Sequence, residues 1–534
     1  MPRRLLAASL ALLCALPPDA AAAQALAALR EALQGGAAFD GARLRRQDAV
    51  VVPASTSRRE GLLRSVPEAA PKPPASEPET AKGVSAGFLG LYPESDFVLG
   101  TGRCEACRGP VEGKWYFPDE LIATPKTGTP ALVWLGAREV LEGAVLSEDG
   151  RFLRLQDGTT LPLELAPRIP SNRSYFDASS LAYLRGRPLR VRGDFVERSG
   201  VRTFRARSFW LEDFRVEPSR LEAADAQGVA GIDALVAADQ GGAQAPFQAK
   251  LLWERPGQGR AWAGLSVMGL MLNGAQGDDD ESLGGHFGFF TGLFPAGGSL
   301  ADWTVSNFYD MDSVSEKGIV AALVPMDKYL SDLNSGQSWY RPTGMLVAVM
   351  KDARVPLQLQ EKFKERYAKY YAHEIRYHRT FSPCTAQVVD PLRQEGWNYP
   401  EQGRTPDLVA RAVAGLVSAG SGDQEAGQGI YDSLRQEPTH LFPRAAFNSL
   451  GADLMSLAGA GGADLLGRTL TPFEKSVSED VVALLWVRVP QIPSSRKFGR
   501  DPAGGVADYF TRVPLDRSQW QTVPTQPRPY PPPH

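Results

Sequence analysis

The chain has little cysteine, little histidine and no surplus of positive charge. Four cysteines occur in 534 residues, at Cys14, Cys104, Cys107 and Cys384, with five histidines. The formal net charge is −3, so no basic field points to nucleic acid. Past the N-terminal leader, no segment offers the roughly 18 uninterrupted apolar residues of a spanning helix. The Walker loop, the dinucleotide fingerprint and the Gly-x-Ser-x-Gly elbow are all missing, and with them the sequence grounds for the chemistries they carry. No internal repeat is present.

Metal ligands are poorly arranged as well. His373-Glu374 and His378 are five apart instead of the four of a zinc-protease helix, which turns the rings about 140° apart. The acidic run Asp278 to Glu281 lacks the spaced ligands and glycine of a calcium loop and reads as solvated. Cys104 and Cys107 have no second pair to complete a zinc site, and a local disulfide is the simplest reading. Neither a metal nor a cofactor is expected.

What is present begins with an export signal. Arg3 and Arg4 precede an apolar stretch from Leu5 to Leu16, closed by Pro17 and Pro18, and Ala21 to Ala23 offers a small-residue cleavage site before Gln24. This is the outline of a secretory signal peptide over 1–23. Leu13 before Cys14 argues against a lipoprotein signal. The expected location is periplasmic or secreted. Cleavage removes Cys14, and Cys104 and Cys107 pair with each other. Cys384 is then left as a lone thiol in an oxidising compartment, reactive or simply packed.

The fold class read from the sequence is α+β and multidomain. Residues 24–90 are Pro-rich and polar and read as a linker, mostly disordered. Residues 91–216 alternate or run short over Ala131–Leu135, Glu142–Leu146, Arg151–Leu155, Leu189–Gly193 and Thr203–Arg207, with a helix over Tyr175–Leu184. Five short strands with one helix before the fourth suggest a small OB-like β domain. A second linker is expected over 217–249, a chemistry-bearing α+β domain over 250–400, a helical extension over 401–515 and a Pro-rich tail over 516–534.

Two motifs carry the chemistry. His286 lies in an aromatic, glycine-containing run, Gly284 to Gly292, which predicts a strand holding the ring rigidly. Cys384 follows Ser382 and Pro383, a candidate N-cap and first helical residue. A first-turn cysteine faces the positive end of the helix dipole, which favours the thiolate, and free N–H groups there can hold an oxyanion. Asn307, in the next predicted strand, is the candidate third residue that orients the imidazole, with Ser306 and Asp310 as alternatives. Gln337 and Tyr340 either line a cleft or belong to a Gly-containing turn, the turn being preferred. His378 is a backup base.

The strand His286-x-Gly288-Phe289-Phe290-x-Gly292, followed about a hundred residues later by Pro383-Cys384-Thr385, resembles the circularly permuted papain-like superfamily. That group includes permuted NlpC-type hydrolases and lecithin:retinol acyltransferase-like proteins. Classical papain-like enzymes place Cys before His, and the permuted group reverses the order, as here. The resemblance covers roughly residues 260–400, about a quarter of the chain. It implies Cys384 as nucleophile and His286 as base. It also implies a cell-envelope partner or substrate, either a peptidoglycan peptide or amide or a lipid acyl group. The alternative from the sequence is a non-catalytic envelope binding or scaffold protein on the same fold.

Overall fold

The computed structural model describes residues 139–503, with gaps at 167–175, 239–245, 276–283, 309–321, 334–335, 372–373, 376, 378–381, 401–403, 405, 460–467 and 495–498. Upstream it describes four strands, β1 (Val84–Leu91), β2 (Val98–Cys104), β3 (Pro110–Phe117) and β4 (Val133–Trp134), paired in that order. The expected signal peptide, Cys14, Cys107, the Asp278–Glu281 run, Asp310, His373, His378 and the Pro-rich tail lie outside the described residues, as does most of the 24–90 linker. The described chain is α+β, with sheets and several helices.

Strands β5 (Glu139–Leu146), β6 (Phe152–Arg154), β7 (Thr160–Leu165), β8 (Leu189–Arg198) and β9 (Val201–Leu211) close into a barrel in the order β5-β6-β7-β9-β8. Helix α1 (Ala178–Leu184) links β7 to β8, and β7 pairs with β9 in parallel. Asp177 caps α1 by accepting from the N–H groups of Ser179 and Ser180. Ala131–Leu135 is among the five strands expected from the sequence, but Val133–Trp134 pairs with β3 in the four-stranded sheet, and the fifth barrel strand is β7, which that expectation misses. Its run contains Pro162, which removes a ladder donor and weakens a strand signature.

The second sheet has eight strands. They are β10 (Glu222–Ala223), β11 (Gln248–Glu254), β12 (Ser266–Asn273), β13 (His286–Leu293), β14 (Thr304–Asn307), β15 (Ala322–Pro325), β16 (Thr343–Met350) and β17 (Val481–Val489), in spatial order β10-β11-β17-β16-β12-β13-β14-β15. Every residue of β12 and β17 is buried. A strand covered on both faces reads as a continuous apolar run instead of an alternating one, as Val481 to Val487 does.

Two sequence expectations are corrected here. The presumed linker over 217–249 contains helix α2 (Gly228–Ala237), whose Ile232 and Val236 are buried. The presumed helical extension over 401–515 supplies β17, which sits between β11 and β16 inside the sheet. A strand from the far end of the chain thus completes the sheet by pairing with both β11 and β16.

Each face of the sheet has its own cover. On one side lie α4 (Arg354–Tyr371), α5 (Cys384–Gln394) and, after the helices α6 (Asp407–Ser421), α7 (Gln424–Leu434) and α8 (Pro438–Leu441), α9 (Pro443–Leu457). Phe289 of β13 stacks on Phe363 of α4 at 5.1 Å, and Phe447 of α9 meets Trp486 of β17 edge-on. Val355, Leu359, Phe363 and Tyr367 of α4, spaced by four, are all buried, and each such burial stabilises by about 1.5–3 kcal/mol. On the other side lie helix α3 (Met326–Ser331) and the barrel. Successive side chains of a strand alternate between these two environments. Among the described residues no helix is long and apolar enough to cross a membrane.

Candidate active site

His286 is the first residue of β13 and lies opposite Asn273 of β12, which in turn lies opposite Thr343 of β16. Directly paired residues share a face. On that face Asn273 Nδ2 donates to Thr343 Oγ1 at 2.7 Å, and Tyr329 Oη of α3 donates to Asn273 Oδ1 at 2.5 Å. All four side chains are buried. A polar row is thus built across three strands, inside an otherwise apolar sheet, with its hydrogen bonds met internally.

Asn307 ends β14. His286 Nε2 lies 2.9 Å from Asn307 Oδ1. An amide oxygen only accepts, so Nε2 carries the proton and donates it, and the ring's lone pair falls on Nδ1. Asn307 is itself anchored, because Tyr367 Oη of α4 donates to its main-chain oxygen at 2.7 Å. Ser306 is opposite Phe289 in the ladder, so it shares the face of Phe289 and not that of His286.

Cys384 is the first helical residue of α5, and the N-cap is Pro383. The boundary falls one residue later than the sequence suggests. Ser382 does not cap the helix, since its hydroxyl accepts from Gln387 Nε2 at 2.7 Å. Pro391 lies inside α5, and the helix continues to Gln394. The Cys384 sulfur lies 3.9 Å from Thr385 Oγ1, and the main chain of Phe287, the residue after His286, helps to favour its ionised form. The structure therefore joins His286 to Asn307 directly and puts Cys384 against the neighbouring residue of the same strand.

The electrostatics correct the thiolate expectation. Burial pushes the Cys384 thiol up, against the Phe287 main-chain bond, Thr385, Arg341 and Tyr377, which all pull it down. Burial, and then the charge of Arg341, push the His286 imidazole down to about 3, despite its bond to Asn307. Cys384 is 4 % exposed and His286 2 %, so desolvation outweighs the helix terminus. At neutral pH the site rests as neutral thiol and neutral imidazole.

Sequence reasoning missed Asn273, Tyr329, Thr343, Tyr377 and above all Arg341. Its one signal was a cation between Trp339-Tyr340 and Pro342, just before a buried strand. The preferred turn over 334–342 holds a short 3₁₀ helix, Gln337–Trp339. Gln337 and Tyr340 are buried there, and Gln337 serves to hold Arg341. Among the described residues no three His, Cys, Asp or Glu side chains converge to hold a metal.

The far half of α5 is fixed by charge. His440 Nε2 lies 3.0 Å from Asp390 Oδ1, its Nδ1 lies 3.4 Å from Glu437, and Arg393 donates to Glu437 at 2.6 Å. Burial opposes the charge on His440, but its hydrogen bonds to Asp390 and Glu437 outweigh burial and the nearby Arg393 and hold it up at about 9. Because the folded value exceeds the ordinary 6.5, this charge stabilises fully below about pH 6.5, and the gain is lost as pH rises through about 9. The urea midpoint is expected to fall across that window, and the fall should flatten in His440→Gln. An equal fall in both proteins would assign the pH dependence to other groups.

No known protein family, curated protein or solved structure matches this chain.

Proposed function

We propose that the chain is an exported cysteine hydrolase or acyltransferase, on a permuted papain-like domain. Its substrate would be an amide or ester of the cell envelope, either a peptidoglycan peptide or amide or a lipid acyl group. The observation that carries this is the 2.9 Å bond from His286 Nε2 to Asn307 Oδ1. It fixes ring and tautomer, with Nε2 as the donor nitrogen, on the strand against which α5 packs.

The reaction balances as an acyl transfer. Nδ1 of His286 takes the thiol proton as the sulfur attacks the carbonyl carbon. Main-chain N–H groups of the first turn of α5, which have no intrahelical acceptor, face the developing oxyanion. The C–N or C–O bond then breaks, and the leaving group takes the proton from His286. A thioester remains on Cys384. Water, or a second acceptor, gives its proton to His286, attacks the thioester and releases the thiol.

The closed barrel supports an OB-like reading. It has five strands, a helix between the third and fourth, and the third and fifth paired in parallel. In this account it positions substrate or partner beside the catalytic sheet.

One observation favours a second reading. Cys384 and His286 are both fully packed, as a non-catalytic scaffold would have them. The two are separated by incubating the protein with purified peptidoglycan and, separately, with acylated lipid, using Cys384→Ala as control. The enzyme reading expects product from one of these with wild type alone. Identical traces for both proteins on both substrates would leave the scaffold.

A further inference from the structure

Arg341 is 3 % exposed. Its Nε and Nη2 donate to Gln337 Oε1 at 2.9 and 2.8 Å, and its Nη1 donates to the main-chain oxygen of Gly274 at 3.3 Å. All three bonds go to neutral acceptors, and among the described residues no carboxylate pairs with it. A guanidinium stays charged throughout the working pH range, and a buried charge without a counter-charge is costly. Several other buried cations have carboxylate partners: Arg192 with Asp327, Arg207 and Lys328 with Asp332, Arg444 with Asp501.

Its position gives the missing partner. Gly274 follows Asn273, the residue paired with His286, and Thr343 is two residues beyond Arg341. Its bond to Gly274 O sets the guanidinium beside the Asn273–His286 pair, at the start of the strand on which α5 packs, and there its charge acts on Cys384, His286 and Tyr329 together. Of these, only the Cys384 sulfur becomes an anion in the proposed reaction.

We propose that Arg341 is the counter-charge of the Cys384 thiolate, so that the negative charge formed in the reaction is held by a fixed guanidinium and not by an imidazolium. This rests on Cys384 being the nucleophile. It divides the work differently from a thiolate–imidazolium pair. His286 stays neutral at rest and serves only to carry the proton, because a second positive charge beside Arg341 is disfavoured. Arg341 sets how readily the sulfur ionises. Gln337, which accepts twice from Arg341, positions it.

The test is the pH dependence of iodoacetamide alkylation at Cys384 in the folded protein. In that step the sulfur bonds to the methylene carbon, iodide leaves and the thiol proton goes to solvent. Wild type is expected to show one ionisation. Arg341→Gln should move it upward by at least one pH unit, a tenfold slower reaction at any pH below it. Arg341→Lys should restore most of the shift, and His286→Ala should leave the profile in place while abolishing acyl turnover.

Two ionisations in wild type, or a profile moved by His286→Ala and not by Arg341→Gln, would overturn the inference. The wild-type curve decides even if Arg341→Gln does not fold. A shift in Arg341→Gln with no acyl turnover in wild type would uphold the electrostatic pairing and sink the enzymatic reading.

Discussion

His286→Ala is expected to lower the rate of acyl turnover at Cys384 by about 10²–10⁴-fold, the range a positioned general base supplies. The size follows from the resting state. The thiol is held up by burial, so without a base almost no thiolate is available to attack at neutral pH. Asn307→Ala should act through the same ring. It removes the acceptor of Nε2–H, freeing the tautomer and the ring's rotation, and it leaves a buried donor without its bond. Its loss should be smaller than that of His286→Ala and should fall on kcat more than on KM. Steady-state hydrolysis of an activated ester measures both. Equal rates in wild type and His286→Ala would remove His286 from the mechanism.

Asp332→Ala is expected to destabilise the fold by about 3–5 kcal/mol, the cost of breaking a buried ion pair from one side. Asp332 is wholly buried, accepts from Arg207 Nε at 3.1 Å and Lys328 Nζ at 2.7 Å, and both partners are buried too. The substitution removes this carboxylate from two buried cations at once. Arg207 belongs to β9 of the barrel and Lys328 to α3, so the same carboxylate ties the barrel to α3. The main chain repeats the tie, with Leu333 N–H donating to Arg207 O at 2.8 Å. Urea denaturation measures the effect. A loss below about 1 kcal/mol would mean that water reaches the site and screens these charges.

The site was more legible in the sequence than the fold around it. The strands of His286 and Asn307 could be found because the aromatic, glycine-containing run of β13 marks a strand and a second strand follows it closely in sequence. Cys384 could be found because Pro383 marks a helix start, to within one residue. The ionisation of Cys384 was not legible, since first-turn placement is local whereas burial depends on α4, β13 and the Arg341 segment together. Arg341 itself, the Asn273–Thr343–Tyr329 row and the insertion of β17 all arise from partners distant in sequence. Pro162 hid a barrel strand for the opposite reason: a local signal against a strand was overridden by pairing with β6 and β9.

The most direct test of the central claim is an intact-mass time course of the protein with p-nitrophenyl acetate, in wild type, Cys384→Ala and His286→Ala. The account expects one acetyl group on Cys384 in wild type that forms and is then lost to water, and none in Cys384→Ala. In His286→Ala any adduct should form slowly and persist. A wild-type protein that stays at its starting mass, or one acetylated equally in Cys384→Ala, would contradict it.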